Sequence, residues 1–310
     1  MIVAVVDVGT NSTRLLIAQV RDGRVERELE RRTEVTRLGE GVDTDGRLRE
    51  QAMERVFAVC ASYREVIDRH RPERVVAVLT SAVRDAANGA EFERELRERY
   101  GFEATTITGE REARLTYLGA TTARPHEGPL MVLDIGGGST EVIVGAGDRV
   151  EFFVSTQLGS VRHTERYLRS DPPTGLELEE CREAVWEALE WAIPEDVRMR
   201  TPAGIAVAGT PTSFAAIDMS LEPYDRTRVD GYRLTLAAVE RIRSELAAKS
   251  IAARRSVKGL HPDRAPTIVA GGIILAQAMK LFGLDEIEVS EHDILDGAAI
   301  EAVEMARKEA

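Results

Sequence analysis

One turn is written almost twice in this chain: Asp7 to Ile17 reads DVGTNSTRLLI, and Asp134 to Val144 reads DIGGGSTEVIV. Each copy follows a short apolar run, Ile2 to Val6 and Leu130 to Leu133, and precedes a second one, which predicts a tight hairpin between two strands. Glycines in such a turn let several backbone N–H groups converge on an anion, and the hydroxyls of Thr10, Ser12, Ser139 and Thr140 add donors. An aspartate at each strand end can hold a cation. Two phosphate-cradling loops in one molecule suit a phosphorylated substrate accompanied by a divalent metal.

With 310 residues the chain exceeds the usual single core, so two domains of roughly 125 to 180 residues are expected, and the duplicated motif supports that split. Hydrophobic residues make up 43% and charged residues 30%, without Ser/Gly-rich or Pro-rich tracts, so nothing marks a disordered region or a long linker. A formal charge of −12 argues against broad nucleic-acid binding, which needs a basic face to displace phosphate counterions. A polyanion must meet a local basic patch instead, at Arg69, Arg71 and Arg74 or at Arg254, Arg255, Lys258, His261 and Arg264. The alternative is that most of these are solvated surface charges. Met1 to Val6 is apolar but lacks a basic region and is too short for the apolar region of a signal peptide, and the longest uncharged run, Ala265 to Met279, falls short of the ~20 residues of a membrane span. A cytoplasmic protein with no membrane or nucleic-acid partner is expected. Cys60 and Cys181, without partners at metal or redox spacing, read as reduced core residues, and Trp186 and Trp191 as core packing on one helix.

Hydrophobic periodicity predicts strands at 2–7, 13–20 and 24–37, a helix at 49–70, a strand at 73–80, a helix at 84–98, a strand at 103–107 and a helix at 110–121. This βββαβαβα order restarts after the segment Thr122 to Gly128, which contains Pro125: strands at 129–134, 140–146 and 150–156, then helices at 159–168 and 176–193. A strand at 203–208, a helix from 211, a helix at 234–248, a strand at 266–270 and a helix from 272 follow. AGT at Ala208 to Thr210 and AGG at Ala270 to Gly272 are each read as ending a strand and opening a helix, a geometry that offers Gly209 and Thr210 to an anion or serves only as a tight turn.

The whole pattern resembles the actin, sugar-kinase and chaperone ATPase superfamily, whose paired hairpins grip phosphate from both sides. Within it, seven segments in order resemble the exopolyphosphatase and guanosine pentaphosphate phosphatase family, Ppx/GppA: DVGTNSTRLLI, TSAVRDAAN (80–88), TGEREARLTYLGA (108–120), DIGGGSTE, STQLGSVRHTE (155–165), AGTPTS (208–213) and KGLHPDRAPTIVAGG (258–272). The resemblance spans Val5 to about Gly297. It implies an α/β fold of two duplicated ribonuclease-H-like (actin-like ATPase) domains, each of βββαβαβα type, with the active site in the interdomain cleft. Residues 1–124 form the first domain, completed by a C-terminal helix at 293–310, and residues 125–292 form the second, with helical insertions.

Hydrolysing a phosphoanhydride requires charge neutralisation, an in-line water and a group that orients or deprotonates that water. Glu112 lies in the first turn of a helix that Thr108 can cap, and the resemblance implies that this glutamate, not Glu110, is the base. Arg84 follows a strand, where a guanidinium can clamp phosphate oxygens, and the family places an active-site arginine there. Asp134, Glu141 and Asp7 are the acidic groups nearest the turns and suit Mg²⁺ or another divalent cation, although Asp7 can equally accept hydrogen bonds from its own turn. Gly136, Gly137, Gly138, Ser139 and Thr140 form the stronger expected phosphate nest; Gly9, Thr10, Asn11 and Ser12 form the weaker one. No histidine is expected to be catalytic.

The resemblance implies an exopolyphosphatase acting on linear inorganic polyphosphate, or a phosphohydrolase acting on guanosine pentaphosphate, and a homodimer. Longer family members carry a further C-terminal helical domain, which leads to the expectation of short polyphosphate as substrate. An ATP-dependent small-molecule kinase and a non-catalytic sensor are the remaining alternatives. Two positions depart from the family pattern: the aspartate in DILDG (Asp293 to Gly297) and Lys258.

Overall fold

The computed structural model describes residues 1–122, 124, 126 and 128–309, and the chain divides into two compact units, Met1–Arg124 with Asp293–Ala310 and Pro125–His292. Pro125, which helps to mark the expected junction, lies outside the described residues.

The first unit begins with β1 (Ile2–Val8), β2 (Ser12–Arg21) and β3 (Arg24–Val35), followed by α1 (Val42–Asp45) and α2 (Glu50–His70). Next come β4 (Arg74–Leu79), α3 (Ser81–Asp85), α4 (Gly89–Tyr100), β5 (Glu103–Thr106) and α5 (Gly109–Thr122). Its sheet has the order β3-β2-β1-β4-β5, with β1, β4 and β5 parallel and the first hairpins antiparallel. β1 is apolar on both faces because both are covered: Ala4, Val6 and Val8 join one core with residues of α2 and α4, and Val3 and Val5 join another with Leu115 and the C-terminal helix. The helix expected at 84–98 is broken into α3 and α4, where a Cβ on Gly89 would lie 2.0 Å from the Val83 carbonyl oxygen.

The second unit repeats the plan with β6 (Leu130–Ile135), β7 (Thr140–Ala146), β8 (Arg149–Thr156), α6 (Ser160–Tyr167), α7 (Gly175–Ala192), α8 (Glu195–Met199) and β9 (Gly204–Val207). It continues with α9 (Gly209–Asp218), α10 (Arg226–Val229), β10 (Arg233–Thr235), α11 (Leu236–Ala247), α12 (Ile251–Arg254), α13 (Ile268–Leu281) and β11 (Glu286–Val289). The order β8-β7-β6-β9-β11 mirrors the first sheet, and β10 adds an antiparallel edge. The strand expected at 266–270 is instead the start of α13, so Ala270 to Gly272 lie inside a helix and offer no strand-end turn. The run is apolar all round because α13 is buried on every side among α6, α7, α9 and α11, and such a run has no period that separates helix from strand. Trp186 packs against the core, but Trp191 is 91% exposed, contrary to expectation. The buried stripe of α7 is Cys181, Val185 and Leu189, and Trp191 lies off that stripe.

Both cysteines are free and buried, and among the described residues no helix is long and apolar enough to cross a membrane. The chain ends in α14 (Ile294–Glu309), which returns to the first unit and crosses α5 at backbone contact. A Cβ on Gly119 would lie 1.9 Å from the Asp293 carbonyl oxygen, and one on Gly297 would lie 1.9 Å from that of Leu115. Gly297→Ala is therefore expected to lower stability by about 2 kcal/mol, despite the ~1 kcal/mol that alanine offers in a helix interior. Denaturant unfolding of the two proteins measures it; an unchanged midpoint would refute the close crossing.

Candidate active site

Both turns close in the same way. The Gly9 N–H donates to the Ser12 carbonyl oxygen at 3.0 Å, and the Gly136 N–H donates to that of Ser139 at 3.0 Å. The carbonyls of each turn are held from behind by the segment that follows the third strand. In the first unit the Thr36 and Arg37 N–H groups donate to Asn11, and Gly39 N–H donates to Thr10. In the second, Ser160 N–H donates to Gly136, Val161 and Arg162 N–H donate to Gly137, and Arg162 Nε donates to Gly138 at 2.7 Å. The N–H groups of Thr10, Asn11, Gly137 and Gly138 have no acceptor among the described residues, so each turn presents donors on one side. That is the arrangement of an anion nest.

The segments after the third strands share a T-x-L-G spacing, Thr36-Arg37-Leu38-Gly39 and Thr156-Gln157-Leu158-Gly159, the second of them within STQLGSVRHTE: in the first unit its own N–H groups hold the turn, and in the second the holding donors follow it directly at Ser160, Val161 and Arg162. The shared T-x-L-G spacing was the available signal. Neither glycine has a positive φ; each is needed because the segment presses on the turn. A Cβ on Gly39 would lie 2.2 Å from Thr10 Cγ2, and one on Gly159 would lie 2.2 Å from the Gly137 carbonyl oxygen. Gly159 N–H also reaches His163 Nδ1 at 3.4 Å, and burial lowers the imidazole to about 4, so His163 is neutral near pH 7. Thr140 is fully buried and spends its hydroxyl on the Leu158 carbonyl at 2.6 Å, supporting the turn from within.

In the first unit the expected base and arginine meet. Thr108 Oγ1 accepts from Arg111 N–H and caps α5, which fixes Glu112 in its first turn. Arg84 Nη1 donates to Glu112 Oε2 at 2.9 Å and to the Ile107 carbonyl at 3.0 Å, leaving Nε and Nη2 without a partner among the described residues. Burial pushes the Glu112 carboxyl up, Arg84 pulls it back, and the negative charges of Asp7 and Asp85 push it up again, leaving it at about 7. A carboxyl so poised exchanges a proton near neutral pH.

The acidic groups of the two hairpins differ in their company. Asp7 faces Arg14 in register, and Arg14 Nε and Nη2 donate to Asp7 Oδ2 at 2.8 and 2.6 Å. Burial nonetheless raises the Asp7 carboxyl, with Arg14 opposing. Asp134 faces Glu141 in register; both are buried, and Ser155 Oγ donates to Glu141 Oε1 at 2.6 Å. Register partners of this kind stand about 5 Å apart at Cβ. No group of three or more His, Cys, Asp or Glu among the described residues is placed to hold a metal. A carboxylate pair still fits Mg²⁺, which takes one or two protein carboxylates and fills its shell with water and substrate phosphate.

Gly209 and Thr210 open α9, and the Arg264 guanidinium lies against Gly209, where a Cβ would have to displace it. Ala208 just before them has φ 70 and ψ −173, a strained region for a residue with a Cβ and one that clusters at ligand sites. Arg254 of the basic stretch is 3% exposed and donates to the Leu246 and Ala265 carbonyls, so it is a structural tie rather than part of an anion path.

Fold and turns together define a two-unit actin-like α/β protein equipped for phosphate chemistry. A model of the Ppx/GppA phosphatase family matches residues 16–304. Exopolyphosphatase 2 of Mycobacterium tuberculosis (strain H37Rv) is 37% identical over 311 residues, covering 96% of this chain and 97% of that protein. Among solved structures, an exopolyphosphatase-like protein shares 33% identity at a TM-score of 0.92, covering 97% of both chains. The Aquifex aeolicus member of the Ppx/GppA family shares 32% identity at a TM-score of 0.83, covering 99% of this chain and 98% of that one. The chain belongs to the Ppx/GppA phosphatase family and is a phosphoanhydride hydrolase.

Because Gly159 lets α6 hold the turn carbonyls, Gly159→Ala is expected to reduce kcat/KM about tenfold or more, through displaced N–H donors worth ~2–3 kcal/mol in a transition state. Steady-state kinetics alongside circular dichroism tests this; a folded variant with parental kcat/KM would show that the contact does not shape the turn.

Proposed function

We propose that this protein is an exopolyphosphatase that hydrolyses the terminal phosphoanhydride of linear inorganic polyphosphate, releasing orthophosphate and a chain one unit shorter. The observation that carries the reading is Glu112, a buried carboxyl pushed to about 7 and oriented by an arginine that keeps donors in reserve. The name of the M. tuberculosis relative supports polyphosphate as the substrate.

The N–H groups of Thr10, Asn11, Gly137 and Gly138, with the hydroxyls of Ser12 and Ser139, bind phosphate oxygens and offset their charge. Arg84 clamps the phosphoryl group with Nε and Nη2 while Nη1 keeps Glu112 in place. Glu112 orients a water for in-line attack and takes its proton as the new P–O bond forms and the bridging P–O bond breaks. Asp134 and Glu141 would hold a divalent cation such as Mg²⁺, which supplies positive charge to the phosphate oxygens when bound.

A general base acts only when ionised, so turnover is expected to be full above pH 7 and to fall as pH drops through about 7. Glu112→Gln should lower kcat by a factor on the order of 10²–10⁴ and abolish that acid limb while polyphosphate still binds. A parental pH profile in the glutamine variant would remove Glu112 from the chemistry.

Phosphate release from short polyphosphate, long polyphosphate and guanosine pentaphosphate, measured side by side, tests the substrate. Faster turnover of one of the polyphosphates is expected. Preference for guanosine pentaphosphate assigns the family's other activity, and comparably low rates on all three overturn the proposal.

A further inference from the structure

The two hairpins share one plan and differ at one decisive position. Asp7 faces Arg14 in register, whereas Asp134 faces Glu141. The position that holds a second carboxylate in one hairpin holds a guanidinium in the other, so Asp7 meets an opposite charge in register.

Arg14 is held from two sides. Nε and Nη2 donate to Asp7, and Nη1 donates to Asp293, the residue that precedes α14. The Arg14 side chain is 16% exposed and both aspartates are 6% exposed, so the group is largely withdrawn from water. Arg31 binds the next carboxylate of that helix, Asp296, at 2.9 Å. A planar guanidinium forked between two carboxylates sets their spacing, and withdrawing one member of such a buried pair is costly.

We propose that Arg14 is a positioning residue that fills, in the first hairpin, the place a divalent cation takes in the second, fixing Asp7 as an anchor of the turn and keeping it out of the metal's ligand set. This rests on Asp134 and Glu141 being the cation ligands. Its consequence is a division of labour: Asp7 is committed to a permanent guanidinium, and cation binding falls to the second hairpin.

Counting Mn²⁺ bound to the full chain by electron paramagnetic resonance, without substrate, tests the idea. The parent is expected to bind a single Mn²⁺. D134N should weaken that binding about tenfold or more, while D7N changes it by less than about twofold. R14E surrounds the position with the carboxylates of Asp7, Asp293 and the new side chain, and should gain a second Mn²⁺; R14K, which keeps the charge, should not. If R14E does not fold by circular dichroism, D7N and R14K still decide. The inference is overturned if D7N weakens Mn²⁺ as much as D134N does, if R14K gains a site, or if folded R14E binds only one ion. Unchanged Mn²⁺ affinity in D134N instead overturns the assignment of the second hairpin as the metal site, and this inference falls with it.

Discussion

Each of the two short turns depends on what occupies its carbonyl oxygens. A glycine-rich turn has as many acceptors as donors, and with its carbonyls unheld it can rotate them toward a phosphate and repel it. Here the Thr10 and Asn11 carbonyls are taken by residues 36–39, and those of Gly136, Gly137 and Gly138 by the start of α6. The N–H groups of Thr10, Asn11, Gly137 and Gly138 are left without an acceptor among the described residues. Both segments approach their turns closely: a Cβ at Gly159 would run into the backbone of Gly137 and Gly138, and one at Gly39 into the Thr10 side chain.

Around the turns, burial and charge pairing compete for each carboxyl. At Glu112 burial outweighs the Arg84 ion pair, so the group sits near neutral instead of in the ordinary carboxylate range. The helix that carries it is pressed by α14, through the Gly119 and Gly297 crossing, and the same α14 begins beside Asp293, which grips Arg14. The end of the chain thus braces both the expected base and the first turn.

Much of this was legible in the residues. Strong apolar runs on either side of a glycine turn marked the hairpins, and the Thr108 cap marked α5, because each signal lies within a few neighbouring residues. The misreadings arose where surroundings overrode local pattern. Ile268 to Leu281 contains β-branched residues and two glycines, yet full burial among four helices makes it α13. Trp191 looked like core by residue type, but its angular position on α7 puts it in water. The T-x-L-G spacing was visible but had no meaning until the hydrogen bonds that residues 36–39 and 160–162 make to the turns were known.

By itself the sequence determined the duplicated hairpins, the two α/β halves and the family, because the Gly9-to-Ser12 and Gly136-to-Ser139 hydrogen bonds close within four residues and need nothing distant. Only the tertiary structure decided which carboxyl would hold a proton near neutrality and which aspartate would be tied to an arginine. Desolvation of Glu112 is a property of packing, and Arg14 meets Asp293 across 279 positions of sequence, so neither could be read from any local stretch of the chain.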